Sequence, residues 1–150
     1  MTKLLRLFFV VLITVGFGQK SSSQCAFDNT FILDATPPAC PGTTTITCAT
    51  AGDLMTVSVV AGNTYTFSTC GSTSFDSYLT LYNATGTTVL DFNDDACGVQ
   101  SEITWTATYT GTVNLLLDEF FCNSNGTCMD VVVNCTPPVQ SGNGCNTNTT

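Results

Sequence analysis

The sequence is poor in basic residues and contains no histidine: three residues are Lys or Arg, whereas eleven are Asp or Glu. Lys3 and Arg6 belong to the N-terminal apolar segment, so Lys20 is the single basic residue in the rest of the chain. Proteins bind nucleic acids and anionic membrane surfaces mainly through clusters of Lys and Arg. We therefore expect no nucleic acid partner, and we expect the acidic surface to attract cations instead.

The lack of histidine also limits the chemistry. Catalytic triads and Cys–His pairs need a general base, and a Ser–Lys pair would depend on Lys20 in a serine-rich leader. A glycosidase needs two carboxylates that face one bond, and the close sets are Asp94 with Asp95 and Asp118 with Glu119. Adjacent residues of a strand point to opposite faces, so Asp118 and Glu119 would not face the same bond. We predict a protein that is not an enzyme.

Long apolar runs are missing beyond the N-terminus. Residues 1–18 combine a basic start, an apolar core at 7–15 and small residues before Gln19, which is typical of a cleaved secretory signal. A membrane-spanning helix needs roughly 20 apolar residues, and no later stretch is that long. We predict a signal peptide at 1–18, a leader and N-terminal extension at 19–42, a β-sandwich domain at 43–136 and a disordered polar tail at 137–150. The protein is therefore expected to be secreted or held at the cell surface, with no membrane span.

All nine cysteines follow the predicted cleavage site. None has Cys-x-x-Cys spacing and there is no histidine, so disulfides in an oxidising compartment are the better interpretation than zinc sites. Nine is odd, so at most four disulfides form within the chain and at least one cysteine is left unpaired. Cys122 and Cys128 flank a glycine-containing turn and are expected to pair, and a Cys70–Cys97 bond would fix a second turn to the edge of the sandwich. Cys145, in the polar tail, is the candidate for a free or intermolecular thiol.

Strand patterns dominate the chain after residue 42. Segments rich in Val, Thr and aromatic residues alternate with short turns that contain glycine, and none keeps a helical apolar period over three turns. The predicted strands cover residues 43–48, 54–60, 64–69, 78–83, 88–92, 102–109, 112–119 and 129–134. Eight short strands at this spacing predict an all-β fold, a jelly-roll-like antiparallel β-sandwich stapled by disulfides.

Period-two alternation within these strands predicts the core. Side chains two residues apart share one face of a strand, so the apolar member of each alternating pair is expected to face inward. The opposite face of the strand at 102–109 is polar, with Glu102, Thr104, Thr106 and Thr108. The predicted core residues are Met55, Val57, Val59, Tyr65, Phe67, Leu79, Leu81, Ile103, Trp105, Ala107, Tyr109, Val113, Leu115 and Leu117.

Four segments in order carry a resemblance to a known family. They are Phe75-Asp-Ser-Tyr-Leu-Thr-Leu-Tyr, the Asn93-Asp-Asp turn, Ser101-Glu-Ile-Thr-Trp-Thr-Ala, and Gly111-Thr-Val-Asn-Leu-Leu-Leu. Together they resemble the pre-peptidase C-terminal (PPC-like) β-sandwich modules of secreted Bacteroidetes proteins, over roughly residues 48–135. The resemblance implies a noncatalytic appendage of secreted proteases or surface proteins. The wider group includes collagen-binding modules of bacterial collagenases, and its members bind calcium or extracellular matrix. The resemblance therefore also implies such binding for this chain.

One turn offers ligands for a hard cation. Calcium prefers several oxygen ligands, and Asn93, Asp94 and Asp95, together with Asp76, could supply them, particularly if a Cys70–Cys97 bond holds the loop rigid. The competing interpretation is ordinary turn chemistry, because Asn and Asp are common in turns and no Asp-x-Asp-x-Asp-Gly loop is present. Calcium is therefore a hypothesis with four named ligands.

The function expected from the sequence is that of a secreted noncatalytic binding or adhesion module. Its partner would be an extracellular polysaccharide or protein, and calcium would stabilise the module. The alternative is a structural or assembly subunit of the cell surface, whose copies self-associate through strand edges or through the unpaired Cys145.

Overall fold

The structure, a computed structural model, describes residues 24–27, 31–35 and 38–139 of the chain. The predicted signal peptide, most of the predicted tail and Cys145 lie outside these residues. None of the described residues forms a helix with the length and apolar character needed to cross a bilayer. The described residues form nine strands: β1 Phe31–Ala35, β2 Gly42–Ala51, β3 Asp53–Val59, β4 Thr64–Ser68, β5 Ser77–Asn83, β6 Val89–Asn93, β7 Glu102–Thr106, β8 Gly111–Glu119 and β9 Asn125–Thr136.

The strands form two sheets that pack face to face. One sheet has the order β1-β3-β8-β5-β6 and the other has the order β2-β9-β4-β7. From β2 onward consecutive strands alternate between the two sheets, except for the β5–β6 hairpin, and all their pairings are antiparallel. This connectivity is that of a jelly roll, so the predicted fold class is confirmed.

Strand β1 is the element that the sequence analysis did not predict. It lies in the segment assigned to the N-terminal extension, and it pairs in parallel with β3, from Phe31 opposite Asp53 to Ala35 opposite Val57. A parallel pair is never joined by a tight hairpin, so no turn signal in the sequence marks the pairing. The folded unit therefore extends toward the N-terminus beyond residue 43.

The core between the sheets contains the predicted residues. Every member of the predicted set lies in or against one buried cluster, with Trp105 and Tyr109 half-buried at its edge. Glu102, Thr104 and Thr106 are exposed on the opposite face of β7, as alternation requires. Strand β9 completes this core with Met129, Val131 and Val133, which alternate with more exposed residues along the same strand.

A second apolar cluster lies on the outer face of the five-stranded sheet and was not predicted. It contains Leu54, Tyr78, Tyr82, Leu116 and Cys25. The hydroxyl of Tyr82 donates a hydrogen bond to the backbone carbonyl of Cys25, and the ring of Phe27 packs edge-on against Tyr82. Alternation assigns the strand residues of this cluster to the solvent side, but the N-terminal segment at Cys25 and residues Val89 and Phe92 of β6 pack against them.

Four disulfides staple the sandwich. Cys25 is bonded to Cys122, Cys40 to Cys135, Cys48 to Cys128 and Cys70 to Cys97. The Cys70–Cys97 bond is the one that the sequence analysis expected, whereas the expected Cys122–Cys128 bond is wrong. Strand β9 begins at Asn125, so extended backbone carries Cys128 away from Cys122 and places it beside β2. These bonds use eight of the nine cysteines, and multiple disulfides are a feature of extracellular and periplasmic proteins.

Candidate metal site and the adjacent aromatic turn

Several loops meet at one end of the sandwich because neighbouring strands are antiparallel. Strands β5 and β7 begin at this end, and strands β6 and β8 finish there. It therefore carries Asp76 immediately before β5, the loop of residues 94–101 between β6 and β7, and the turn of residues 120–122 after β8. We call the last two segments the acidic loop and the aromatic turn.

Three of the four predicted metal ligands converge at this end. One carboxylate oxygen from each of Asp76, Asp94 and Asp95 lies within 4.8 Å of the other two. Asp76 and Asp94 are half-buried and Asp95 is exposed. Asp76 precedes the other two by about eighteen residues in the sequence. The antiparallel pairing of β5 with β6 brings the three residues together.

The surroundings of Asp76 and Asp94 are electrostatically unfavourable for ionised carboxylates. Burial, followed by the charges of Asp95 and Glu119, raises the pKa of Asp76 above its ordinary value. Burial, followed by the charges of Asp95 and Asp76, raises the pKa of Asp94 in the same way. Both pKa shifts have one meaning: the surroundings disfavour the ionised carboxylates.

The carboxylate oxygens also lack protein partners. Oδ1 of Asp76 and Oδ1 of Asp94 are buried and accept no hydrogen bond from the protein. The described part of the chain contains no Lys, Arg or His that could form an ion pair with them. Buried acceptors without donors are costly, and a set of hard oxygen ligands is what calcium binds. The residues present therefore fit a divalent cation.

Asn93, the fourth predicted ligand, has another contact. Its side-chain oxygen Oδ1 accepts a hydrogen bond of 3.1 Å from the backbone amide of Glu102, the first residue of β7. This bond ties the end of β6 to the start of β7 across the base of the acidic loop. A role for Asn93 as a metal ligand stays a prediction.

A buried network of hydroxyl groups contacts the base of the acidic loop. The sequence analysis did not identify it. The hydroxyls of Thr69 and Ser77 lie 2.7 Å apart, and the Ser101 amide donates to Thr69 Oγ1 at 2.9 Å. The Ser101 hydroxyl oxygen lies 2.5 and 2.6 Å from the carbonyl oxygens of Ser77 and Asp94, which share its single hydrogen-bond donor. All three hydroxyl residues are buried, and the network joins β4, β5 and the acidic loop. The sequence gives no signal for this network, because the burial of these hydroxyl residues is a property of the folded structure.

The Cys70–Cys97 disulfide fixes the tip of the acidic loop. It links the loop to the segment just after β4, at a sequence separation of 27 residues. Within the loop, the amides of Ala96 and Cys97 both donate to the carbonyl of Gln100, at 2.9 and 3.1 Å. The amide of Ser77 donates to the carbonyl of Val99 at 3.0 Å, so the loop is also held against the start of β5.

The aromatic turn stands directly beside Asp76. The amide of Phe120 donates a hydrogen bond of 2.9 Å to the backbone carbonyl of Asp76. Phe120 and Phe121 place their ring centroids 4.0 Å apart, and both rings are exposed. Phe121 and Cys122 have φ values of 64° and 59°, a left-handed conformation that is unusual for residues other than glycine. The turn therefore presents two aromatic rings from a constrained backbone.

The other acidic pair of the sequence does not form a shared site. Asp118 is buried beside the sulfur atoms of Cys25 and Cys122, whereas the Oε1 atom of Glu119 accepts a hydrogen bond of 3.1 Å from the side chain of Asn125. The two carboxylates thus point in different directions, as expected for adjacent strand residues.

Comparison with known proteins places the chain in a family. Residues 43–136 match the family described as a domain of unknown function, DUF8695. The chain belongs to this family. No curated protein matches this DUF8695 chain.

Two solved structures resemble this DUF8695 chain in fold. The pre-peptidase C-terminal domain of a collagenase from Bacillus anthracis is 12% identical, with a TM-score of 0.45, and the match covers 72% of this chain and 99% of that one. PliG of Aeromonas hydrophila, a periplasmic inhibitor of g-type lysozyme, is also 12% identical, with a TM-score of 0.50, and the match covers 70% of this chain and 97% of that one. At this identity the similarity concerns the fold alone.

Proposed function

We propose that this protein is a secreted, noncatalytic binding module whose loop end is stabilised by calcium. The observation that carries the proposal is the convergence of the carboxylates of Asp76, Asp94 and Asp95 in a described chain that contains no basic side chain. A site of this kind has oxygen ligands for a hard cation and lacks the proton donor or nucleophile pairs that hydrolysis needs.

Asp76, Asp94 and Asp95 would hold the calcium ion, and Asn93 is the further ligand predicted from the sequence. A bound ion would supply positive charge that offsets part of the negative charge of the three carboxylates. The protein itself prepares this arrangement: Ser101 holds the Asp94 backbone, and the Cys70–Cys97 bond limits the movement of the loop. A calcium-loaded loop end would be a rigid surface on which a partner docks.

The partner we propose is an extracellular protein or polysaccharide. PliG, which has a fold of this type, is an inhibitor of g-type lysozyme, and this supports a binding role without catalysis. Secretion, a cell-surface location and membership in the PPC-like modules of Bacteroidetes are part of the same proposal. They derive from the predicted signal peptide and from the sequence resemblance.

The alternative function is a structural or assembly subunit of the cell surface. Strand edges are available for pairing with another copy, since β2, β6 and β7 each have one neighbour in their sheet. Eight cysteines are bonded in pairs within the chain, so a covalent link between copies would use Cys145. Such a link produces a dimer on a non-reducing gel that disappears with reductant.

Thermal unfolding of the oxidised protein tests the calcium site. A ligand that binds only the native state stabilises it by about 3 kcal/mol at a hundredfold excess over Kd. We expect calcium to raise the Tm by roughly 10 °C relative to excess chelator. The Asp94→Asn/Asp95→Asn variant is expected to lose this rise. The Asp91→Asn/Glu102→Gln variant removes the same number of charges outside the group of converging carboxylates and is expected to keep the rise.

Binding is tested separately on glycan and extracellular-protein arrays, with calcium and with chelator. A ligand bound by the monomer supports the module, and equal binding by the Asp94→Asn/Asp95→Asn variant would remove calcium from the proposal. A reductant-sensitive oligomer without any ligand would favour the assembly subunit.

A further inference from the structure

The aromatic turn exposes more apolar ring surface than any other pair of adjacent residues that the structure describes. Phe121 is 65% exposed and Phe120 is 37% exposed. The other exposed aromatic residues among those described, Phe27 and Phe92, stand singly and pack against Tyr82 and Tyr78 respectively. Single exposed apolar residues are common on protein surfaces, whereas contiguous exposed apolar patches are often contact surfaces.

The backbone of the turn keeps these rings outward at an energetic cost. Phe121 and Cys122 both have positive φ, and glycine or asparagine would adopt this conformation with less strain. The amides of Glu119 and Asn123 each donate to the other residue's carbonyl, at 3.0 and 3.2 Å, and close the turn. The side chain of Asn123 donates to the Phe120 carbonyl at 3.0 Å, and Cys122 is bonded to Cys25. Strain that the surroundings hold in place is often associated with a functional position.

The surroundings of the two rings are acidic. The Phe120 amide is bonded to the carbonyl of Asp76, and the charge of Glu119 contributes to the electrostatics of the Asp76 carboxylate. Asp94 and Asp95 complete this acidic group, and the described part of the chain contains no basic side chain that could balance its charge. Even a divalent ion held by the three aspartates would leave this end of the sandwich negatively charged. The apolar rings are therefore bordered by carboxylates that need an external cation.

We propose that the aromatic turn is the docking site for a protein segment that carries Lys or Arg next to an apolar side chain. The apolar side chain would pack on Phe120 and Phe121, and the basic group would lie over the neighbouring carboxylates or on a ring face. This inference rests on the proposed binding function and names its surface and the chemistry of its partner. An anionic membrane and a second copy of this acidic end would both be repelled by the same carboxylates.

Matched peptides test the chemistry of the partner. The first probe is a fluorescein-labelled peptide in which lysine and leucine alternate, spaced by glycine. The second has glycine in place of each leucine, and the third has glutamate in place of each lysine. By fluorescence anisotropy in calcium-containing buffer, the lysine–leucine peptide is expected to bind about tenfold tighter than either control, because both the rings and the carboxylates contribute.

Matched variants test the site. Phe120→Ser/Phe121→Asn removes both rings, and asparagine suits the positive φ of residue 121. We expect this variant to bind the lysine–leucine peptide about tenfold more weakly, at a Tm no lower than that of the parent protein by more than a few degrees. Val60→Ser removes an exposed apolar side chain at the β3–β4 turn and is expected to leave binding unchanged.

Four results would overturn the inference. They are equal binding of the lysine–leucine and lysine–glycine peptides, tighter binding of the glutamate peptide, unchanged binding by the ring variant, and ring-dependent association with phosphatidylcholine vesicles or with a second copy of the chain. Different results would contradict the proposed function: no calcium-dependent rise in Tm, and no ligand on either array. An array ligand that the ring variant still binds leaves the binding function standing and removes only this surface.

Discussion

The amide of Phe120 donates a hydrogen bond of 2.9 Å to the carbonyl of Asp76, and this bond joins the aromatic turn to the acidic site. The two residues are far apart in the sequence and belong to the ends of neighbouring strands, because Ser77 of β5 pairs with Glu119 of β8. The backbone of the turn therefore lies directly against the backbone of one proposed calcium ligand. This hydrogen bond connects the proposed calcium site with the proposed docking surface.

The stability of the calcium-free protein is expected to rise as the pH falls from neutral. The folded state raises the pKa of Asp76 and Asp94 above the ordinary value of 3.8, so the native protein binds protons more tightly than the unfolded chain. Their contribution is therefore fully favourable below pH 3.8 and is lost as the pH rises through the raised pKa values.

Urea unfolding in chelator at several pH values measures this dependence. Asp94→Asn is expected to flatten the profile and to increase stability at neutral pH, whereas Glu102→Gln, on the exposed face of β7, keeps the parent slope. Identical slopes for the two variants would contradict the assignment. The general repulsion of an acidic chain would then be the whole cause.

Removing the Cys70–Cys97 disulfide is expected to weaken calcium binding as well as stability. The bond closes a loop at a sequence separation of 27 residues, and disulfides of this span contribute about 3 kcal/mol to the free energy of unfolding. Cys70→Ser/Cys97→Ser should also reduce the calcium-dependent Tm rise, because the acidic loop loses its anchor. Cys48→Ser/Cys128→Ser removes an exposed bond between β2 and β9, and should lower the Tm while keeping the rise. Calorimetry of both variants distinguishes the effects.

Ser101→Ala is expected to destabilise the protein by about 2 kcal/mol, because it leaves one buried and one part-buried carbonyl without the hydroxyl donor that they share. These are the carbonyls of Ser77 and Asp94. Ser58→Ala makes the same change at an exposed position of β3 and should alter the free energy of unfolding by no more than about 0.5 kcal/mol. Urea unfolding compares the two variants. A small and equal effect would show that the network does not hold the loop.

Phe121→Gly is expected to stabilise the fold by about 1 kcal/mol, since glycine adopts positive φ without steric cost. Phe120→Gly is the matched control, because residue 120 is not among the positive-φ positions. There glycine should lower stability by about 0.5 to 1 kcal/mol through backbone entropy alone. Opposite signs for the two substitutions in urea unfolding would establish strain at residue 121. A loss of stability in both would contradict it.

Local patterns were enough to predict strands β2 to β9 and the core between the sheets. Alternation at period two selects one face of each strand, and residues such as Met55, Val57 and Leu115 are buried because that face is covered along its whole length. The same reasoning failed for Leu54, Tyr78 and Leu116, which lie on the outer face and are buried in the second cluster with Cys25. The cluster includes Cys25 from a segment that precedes the domain predicted from the sequence, and alternation within a strand does not show which segments pack on its outer face.

The candidate site was predicted in part for similar reasons. Asp94 and Asp95 are neighbours in a turn, so the local composition was enough to select them. Asp76 was predicted as a further ligand, and in the structure its carboxylate lies close to those of Asp94 and Asp95. The disulfide partners of Cys122 and Cys128 were wrong because proximity along the chain does not measure distance once β9 is extended. The aromatic turn gave no signal, since its character depends on backbone φ values and on exposure.

The sequence by itself determined the fold class, the disulfide-rich chemistry and the absence of basic side chains near the acidic loop, because these follow from composition and short-range alternation. Only the tertiary structure decided which cysteines pair, that β1 adds a parallel strand, and that Asp76 and Phe120 meet at one end of the sandwich. The physical reason is that a jelly roll joins strands distant in sequence. The contacts that build its loop end are therefore set by sheet order and register.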